Sequence, residues 1–427
     1  MASFFIPLTG LESDSTALNT IANDLANMST TAFKGQSVNF SDLFYQQFGS
    51  AGSGDPIQVG AGVQVATIET AFSQGSINTT GNATDVALNG SGFFVVNNGG
   101  VNDYTRAGNF SLDSNGNLVT SNGEEVLGYP AVGGVVNTNS PLTAINIPVG
   151  QVEQPQATTN LNMTANLDAT STAGTAFPAQ VTIYDSLGVP HVATVTYTET
   201  ATNTWSYSVA LPATDFTSGV STPVTGTMTF NSSGNLTSVT PGGGVATPVG
   251  TAAGDISQIP VAFTGLADGA ADLNMKWSLL GSGGTPTVSQ VASASAVSAT
   301  TQDGYASGEY QSFNIASDGT VTATYSNGQQ QSVGKLALAN VSNLQGMTLL
   351  GNGDYATTLA SGTASVGASG TNGLGTMQDG ALEESNVNIS AEFSDLIIAQ
   401  RAFEANAKAV TTFDTVTSDT INMVPAQ

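Results

Sequence analysis

Hydrophobic side chains recur with a helical period only near the two ends of the chain. In both series the spacing alternates between three and four residues. The N-terminal series is Leu8, Leu11, Ser15, Leu18, Ala22 and Leu25, widened by Ile21 and Met28, and the C-terminal series is Phe393, Leu396, Gln400, Phe403, Ala407 and Val410. Such seven-residue patterns are typical of narrow apolar seams, as in coiled coils. The sequence therefore predicts two amphipathic terminal helices whose seams need partners.

An asparagine series accompanies the first helix. Asn19, Asn23 and Asn27 lie four residues apart in NTIANDLAN, although Asn is a mediocre helix former. In an ordinary monomer, a solvated polar face explains this pattern. In a crowded assembly, side-chain amides both donate and accept hydrogen bonds, so they can join neighbouring helices without burying charge.

The segment STTAFKG predicts the end of this helix. Thr30, Thr31 and Gly35 are expected to stop it. We expect Phe33 to anchor the exit of the chain against a β domain and Lys34 to stay in solvent. These residues would mark the passage from helix to β structure.

The sequence between the helices has the character of β-strands. Segments 93–96, 181–185, 192–200 and 205–211 are rich in β-branched and aromatic residues. One pattern, a strand followed by a Gly-containing turn and a second strand, occurs at 110–119, 230–239 and 313–325. This pattern predicts β-hairpins, and the irregular distance between its copies argues against a solenoid.

We predict a mainly β fold with paired terminal α-helices, in which one β domain is inserted into another. Composition shifts at 151–162 and 281–304 indicate the ends of the insertion. The predicted domains are a discontinuous, coiled-coil-like helical domain (1–30 with 385–427), a linker region (31–71 with 376–384), a first β domain (72–152 with 302–375) and an inserted outer β domain (153–301).

Charge is scarce and mostly negative. The 427 residues include 6 basic and 31 acidic ones, and charged residues make up 9%, far below the roughly 25% usual for soluble proteins. Nucleic-acid binding is excluded, since phosphate contacts require clustered Lys and Arg. No apolar run approaches the roughly 18 residues of a membrane span, so we expect no membrane insertion.

Cysteine is absent, which excludes disulfides and Cys-ligated metals. The N-terminal segment MASFFIPLTGLESD has no basic region ahead of its apolar residues. We therefore expect no cleaved secretory signal peptide.

Side chains that could carry catalysis are few. His191 is the only histidine, and we interpret it as a strand or turn residue, because a triad or metal site needs partners that the sequence barely supplies. Asp113 begins DSNGN, for which a hairpin turn is favoured over a calcium loop. The pair Glu383-Glu384 is interpreted as solvated acid. The sequence therefore predicts no enzyme, no metal and no cofactor.

Several long motifs resemble those of the bacterial flagellar rod and hook proteins. NTIANDLANMSTTAFKGQSVNFSDLF (19–44) resembles their N-terminal motif. Their next two motifs are matched by SQGSINTTGNATDVALNGSGFFVV (73–96) and YTRAGNFSLDSNGNLV (104–119), and their shared C-terminal helix by LEESNVNISAEFSDLIIAQRAFEANAKAVTTFDTV (382–416). The motifs occur in the family's order, which makes the resemblance specific.

The inserted segment favours the hook branch of this family. FPAQVTIYDSLGVPHVATVTY (177–197) resembles the second β domain of that branch, and 303–329 resembles the return into the first. The resemblance implies a homopolymer of many copies that forms a curved, flexible tube, a universal joint carrying motor torque to the filament. It also implies contact with the distal rod, hook cap and hook–filament junction proteins, and extracellular placement after passage through the flagellar type III export apparatus.

The resemblance further implies which side chains meet neighbouring subunits at the inner wall of the tube. These are Leu11, Leu18, Asn19, Ile21, Asn23, Leu25, Asn27, Phe393, Leu396, Gln400, Phe403 and Val410. Two alternatives stay open at this point: a distal rod protein, or driveshaft, of the same family, and an acidic extracellular surface or adhesin protein. The adhesin alternative would leave the terminal helical motifs unexplained.

Overall fold

The structure of the chain is a computed structural model and describes residues 5–50 and 56–423. The ends of the predicted helical domain (1–4 and 424–427) and part of the predicted linker (51–55) lie outside the described residues. The chain divides into two compact units. Unit 2 comprises Gly150–Gln311 and Tyr325–Gln329, and unit 1 comprises the remaining described residues. As predicted, the fold is mostly β with a helix near each end.

The two helices are α1 (Phe5–Ala26) and α2 (Ile389–Asn422). The Asn388 side chain caps α2 by accepting hydrogen bonds from the N–H groups of Ser390 (3.1 Å) and Ala391 (3.3 Å). Helix N-termini leave such donors without intrahelical partners. This cap explains why α2 begins where it does.

Helix α1 ends at Ala26, before the Thr30–Gly35 stop that the sequence predicts. The Asn27 side chain donates to the Asn23 carbonyl (2.9 Å) and to the Asn23 side-chain oxygen (3.2 Å). The Thr30 hydroxyl donates to Asn27 Oδ1 (3.1 Å). The last two asparagines of the series therefore hydrogen-bond along their own chain at the point where the helix ends.

Unit 1 is built on one sheet and several short strand pairs. Its strands are β1 (Gln36–Asp42), β2 (Gln46–Ser50), β3 (Pro56–Val59), β4 (Val63–Thr70), β5 (Ile77–Thr79), β6 (Val86–Asn89), β7 (Phe93–Asn98), β8 (Val101–Thr105), β9 (Ser111–Leu112), β10 (Leu118–Val119), β11 (Glu125–Val132), β12 (Val135–Val136) and β13 (Thr143–Ala144). The central sheet contains β11, β7 and β8 together with strands from beyond the insertion.

Unit 2 holds the next strands in chain order. They are β14 (Val152–Glu153), β15 (Asn160–Asp168), β16 (Ala176–Tyr184), β17 (Pro190–Ala201), β18 (Thr204–Ala210), β19 (Val224–Phe230), β20 (Leu236–Pro241), β21 (Thr247–Pro248), β22 (Gln258–Phe263), β23 (Leu273–Ser278), β24 (Val288–Val291) and β25 (Ala296–Gln302). Strands β16 to β21 form one sheet in sequential order, and β22, β23, β15 and β24 form another, to which β25 is added. Both sheets contribute to a single core around Trp205 and Trp277.

The chain returns to unit 1 within β26, whose first four residues still belong to unit 2. The remaining strands are β26 (Gly308–Ile315), β27 (Thr320–Tyr325), β28 (Gln330–Asn340), β29 (Thr348–Gly351), β30 (Asp354–Ala356), β31 (Ser365–Ala368), β32 (Thr376–Asp379) and β33 (Ala381–Glu383). In the central sheet the order is β27, β28, β11, β7, β8, β30, β29. The pairs β32–β6 and β33–β5 are antiparallel, so the sequence preceding the insertion is hydrogen-bonded to the last strands before α2.

Several hairpins share one turn, in which an Asp or Asn side chain holds the loop. Asp113 Oδ1 accepts hydrogen bonds from the N–H groups two and four residues later, at 2.8 and 2.7 Å. Asn231 and Asp185 make the same pair of bonds. A glycine three residues after each, such as Gly116 at φ +84°, supplies the left-handed conformation. The DSNGN segment is therefore a hairpin turn, as favoured from the sequence.

Asp303 in unit 2 gives a pH-dependent contribution to stability. Its carboxylate accepts hydrogen bonds from the backbone and side chains of Thr159 and Asn160, at 2.6–2.9 Å. Burial alone would raise the pKa of Asp303, but these bonds outweigh it and lower the pKa to about 2. Because the folded pKa lies below the ordinary value of about 3.9, the contribution is present above about pH 4 and is lost as the pH falls towards about 2.

Asp303→Asn is therefore expected to lower the stability of unit 2 by about 1–2 kcal/mol near pH 7, and the difference from wild type should shrink below about pH 4. Urea unfolding, followed by tryptophan fluorescence across this pH range, measures both effects. Asp255→Asn is the matched control, because its carboxylate accepts one backbone bond, from Ala252 at 3.2 Å. A difference for Asp303→Asn that stays constant from pH 7 to about 2.5 would contradict the assignment.

Candidate polymerisation surface and the junction at its base

The helices α1 and α2 pack through small and polar side chains. The buried residues of α1 are Pro7, Gly10, Ser13, Thr20 and Asp24. A Cβ atom on Gly10 would lie 2.6 Å from the Asn406 side-chain nitrogen, so glycine permits the close approach of the helices here. The same Asn406 amide donates to Asp14 (2.8 Å). Asn406 therefore contacts α1 at two positions, through a close approach to Gly10 and a hydrogen bond to Asp14.

The predicted leucine seam lies beside this packed face rather than on it. Leu11 and Leu25 directly follow Gly10 and Asp24, which places them about 100° further around the helix. Leu11, Leu18, Ile21 and Leu25 are all half-buried. The seam is therefore only partly covered within one chain.

Helix α2 exposes large apolar side chains over most of its length. Of the predicted contacts, Phe393 is 53% exposed, Phe403 and Gln400 are also exposed, and Leu396 and Val410 are half-buried. Further exposed apolar side chains are Ile397, Ile398, Phe413, Val416 and Ile421. So many exposed large apolar side chains on one helix indicate an interaction site. The sequence pattern identified Phe393 and Phe403 but missed Ile397 and Ile398, which lie off its seven-residue register.

The asparagine series faces outward but is partly engaged within its own chain. Asn19 and Asn23 are exposed and Asn27 is half-buried. The bonds from Asn27 to Asn23 and from Thr30 to Asn27 run along the chain rather than to another helix. A role of the series in subunit contacts therefore stays a prediction.

Lys34 is buried, so the expectation that it stays in solvent is wrong. It is 2% exposed, and its ammonium lies 2.6 Å from Glu383 Oε1 and donates to the Ser73 carbonyl at 2.9 Å. Burial lowers the pKa of Lys34, and the hydrogen bond and charge of Glu383 partly offset this effect. The contact with Glu383 supplies the counter-charge that a buried lysine needs.

Glu383 is the centre of this buried cluster, and its interpretation as solvated acid is also wrong. It is 1% exposed, and its second oxygen lies 3.2 Å from Arg106 Nε. The Gly75 N–H donates to Glu383 Oε1, the oxygen that contacts Lys34, at 2.9 Å. The Arg106 guanidinium also donates to the carbonyls of Gly90 and Gly92. We call Lys34, Arg106 and Glu383 the buried ion cluster.

Asn386 joins the exit of α1 to the approach to α2. Its side-chain oxygen accepts from the Gly35 N–H (2.8 Å), and its amide donates to the carbonyls of Ala71 (2.7 Å) and Ser73 (3.0 Å). The Asn386 N–H donates to the Phe33 carbonyl at 3.2 Å, and the Phe33 side chain is half-buried. The junction therefore ties together segments more than 300 residues apart.

A cleft of about 420 Å³ opens between α1, β1 and α2. Its apolar lining includes Ile21, Phe40 and Ile398, and Phe40 and Ile398 are strongly exposed. An open cleft with apolar walls can receive side chains of another molecule. Neither α1 nor α2, as far as the structure describes them, has the length and apolar character of a membrane-spanning helix.

Comparison with known families places these features in a defined class. The model for the flagellar hook protein FlgE/F/G D1 domain matches residues 87–166, and that for the flagellar basal body protein FlaE D2 domain matches 156–305. The C-terminal model of the flagellar basal body rod FlgEFG proteins matches 378–423, which includes α2. These matches define an axial protein of the bacterial flagellum.

Full-length relatives specify the protein further. The flagellar hook protein FlgE of Treponema pallidum is 35% identical, with 99% of each chain covered. That of Escherichia coli K12 is 34% identical, with 99% of this chain and 100% of the relative covered. The chain belongs to the flagellar hook protein FlgE family and is a structural subunit of the bacterial flagellar hook. The rod and adhesin alternatives are not favoured.

A solved structure supports the fold independently. The crystal structure of Helicobacter pylori flagellar hook protein FlgE2 matches with a TM-score of 0.54 at 15% identity. The match covers 72% of this chain and 100% of that one. At this identity the likeness concerns the fold alone.

Proposed function

We propose that many copies of this chain polymerise into a curved, flexible tube that serves as a universal joint between motor and filament. The paired helices would form the inner wall, and the β units would lie outside. The observation that carries this proposal is the large apolar surface left open on α2, including Phe393 and Ile398. In a homopolymer, the helices of neighbouring copies can cover it.

The composition of the helix pair suits this role. Within one chain, α1 and α2 use small and polar contacts, such as Gly10 against Asn406, and leave the larger apolar groups for other copies. Burying an exposed side chain of the size of Phe or Ile contributes about 1.5–3 kcal/mol. Repeated in every subunit, such contacts would give the inner wall its cohesion.

The contacts between the outer β units of neighbouring subunits must be weak, unlike those of the inner wall. In a bent tube that rotates, these outer contacts have to break and form again during each turn. With charged residues at 9% of the chain and 49 glycines, the surface is mainly polar and neutral. Exposed polar contacts between such groups contribute little individually. They could therefore be broken and remade as each row of subunits shortens and lengthens.

We further propose the neighbours and route implied by this role. The ends of the tube would contact the distal rod protein, the hook cap protein and the hook–filament junction proteins. The subunit would leave the cell through the flagellar type III export apparatus and would act outside the cell. It would have no catalytic activity and bind no nucleic acid.

Deleting residues 1–30 is expected to abolish polymerisation, because it removes the partner of α2 and half of the inner surface. Sedimentation of purified full-length and shortened chains under assembly conditions measures this effect. Tryptophan fluorescence on unfolding checks that unit 2 remains intact in the shortened chain. Polymers of normal yield from the shortened chain would contradict the proposed role of the helices.

A further inference from the structure

Three turns of unit 2 bring carboxylates around the only histidine of the chain. His191, the second residue of β17, is 6% exposed. Asp185 lies in the β16–β17 turn, Asp215 in a 3₁₀ turn at Ala213–Asp215, and Asp268 in the connection from β22 to β23. The sequence predicted His191 to be a strand or turn residue, because partners for a metal site were scarce; two of these carboxylates lie 24 and 77 positions further along the chain. The fold supplies them.

Each nitrogen of the imidazole faces a different group. Nδ1 lies 2.9 Å from Asp215 Oδ2, while Nε2 lies 3.2 Å from Asp185 Oδ2 and 3.4 Å from Asp268 Oδ2. Metal-binding histidines commonly donate their other ring N–H to a carboxylate, which fixes the tautomer and aims the free lone pair at the ion. Asp215 is placed to do this, leaving Nε2 to face Asp185 and Asp268.

The two facing carboxylates are held in orientation by backbone N–H groups. Asp185 Oδ1 accepts from Leu187 (2.8 Å) and Val189 (2.9 Å), and Asp268 Oδ1 accepts from Ala270 (3.0 Å). In both residues Oδ2 is the oxygen turned towards Nε2. The two turns are also tied together, since the Ala271 N–H donates to the Ser186 hydroxyl (2.9 Å).

We propose that His191 Nε2, Asp185 Oδ2 and Asp268 Oδ2 form a site for one divalent cation of the Zn²⁺ class. The three ligand atoms lie within 4.8 Å of one another. Ligands about 2.0 Å from a tetrahedral Zn²⁺ ion are about 3.3 Å apart, which matches the 3.2 and 3.4 Å separations from Nε2. One imidazole and two carboxylates are a donor set that Zn²⁺ accepts.

The surroundings provide both access and a use for the ion. The side chain of Asp268 is 23% exposed, so the site opens to solvent there, and water can complete the coordination. Asp185 and His191 belong to the sheet that contains β16 and β17, whereas Asp268 belongs to the connection between two strands of the other sheet. The bound ion would link the two sheets through its ligands. Its positive charge would also compensate for the negative charge of the three carboxylates around the imidazole.

The test uses the full-length chain without a histidine tag, freed of metal by a chelator and then titrated with Zn²⁺ in a calorimeter. We expect saturable binding of one ion per chain and a rise in the unfolding temperature of unit 2. Because the chain has one histidine and no cysteine, the ring signals of His191 in an NMR spectrum report occupancy directly. Co²⁺ in place of Zn²⁺ should give the strong visible absorption of a four-coordinate site.

Matched variants distinguish a built site from general attraction to acidic groups. Asp268→Asn removes one ligand charge and should weaken Zn²⁺ binding at least tenfold, whereas Asp272→Asn removes a nearby exposed carboxylate and should leave it unchanged. Asp215→Asn should keep the one-to-one stoichiometry but weaken binding about 10–100-fold, as for other residues behind a metal ligand. No saturable one-to-one binding by wild type, or equal binding by Asp268→Asn and Asp272→Asn, would overturn the proposal.

Discussion

Glu383→Gln is expected to destabilise unit 1 by about 3–5 kcal/mol, because it leaves Lys34 and Arg106 buried without their shared counter-charge. Glutamine is close to glutamate in size, so the loss comes from charge rather than from packing. Urea unfolding followed by far-UV circular dichroism should show unit 1 unfolding at a lower urea concentration. Tryptophan fluorescence should not change, since Trp205 and Trp277 both lie in unit 2.

The neighbouring residue provides a matched control for this prediction. Glu384 is exposed, and in the part of the chain that the structure describes its carboxylate accepts hydrogen bonds from Ser76 and Asn78 alone. Glu384→Gln should cost less than about 1 kcal/mol, in the range of other exposed polar contacts. Equal urea midpoints for the two variants would show that the buried ion cluster does not hold the junction.

Phe393→Ser is expected to raise the protein concentration needed for polymerisation at least tenfold while leaving the monomer folded. More than half of the Phe393 surface is already in water in the single chain, so its removal costs the monomer little. Burying a side chain of the size of Phe contributes about 1.5–3 kcal/mol, and every subunit would lose this contribution. Light scattering against protein concentration measures the threshold.

Leu359→Ser is the control for this second prediction. Leu359 is a fully exposed apolar residue of unit 1 that lies on a turn rather than on a terminal helix. Its replacement should leave the threshold for polymerisation unchanged. If Phe393→Ser and Leu359→Ser polymerise alike, the exposed face of α2 is not a subunit contact.

Local patterns along the chain predicted the elements well. The seven-residue series indicated both helices, and the three strand–turn–strand segments are paired as hairpins. These features depend on neighbours a few residues apart, where period and turn chemistry act. For the same reason, DSNGN could be recognised as a turn from its own residues.

Features that depend on distant residues were not predictable in this way. Lys34 and Glu383 are 349 positions apart. The sequence around each residue gives no indication of a buried partner, so each would be predicted to be an ordinary surface charge. The close approach of α1 to α2 occurs at Gly10, where a Cβ atom would collide with the Asn406 side chain, and not at one of the predicted seam leucines. Nothing in the period of hydrophobic residues reveals this choice. One feature of the sequence could have indicated buried ion pairs. The chain has only six basic residues, so each of them is a candidate for pairing with a specific carboxylate.

The central claim is that this chain polymerises through its terminal helices into a curved tube. Electron microscopy of purified, full-length protein after assembly tests it most directly. We predict curved tubes with a central channel and with density for α1 and α2 at the inner wall. Straight, rigid rods, or polymers whose terminal helices lie on the outer surface, would contradict it.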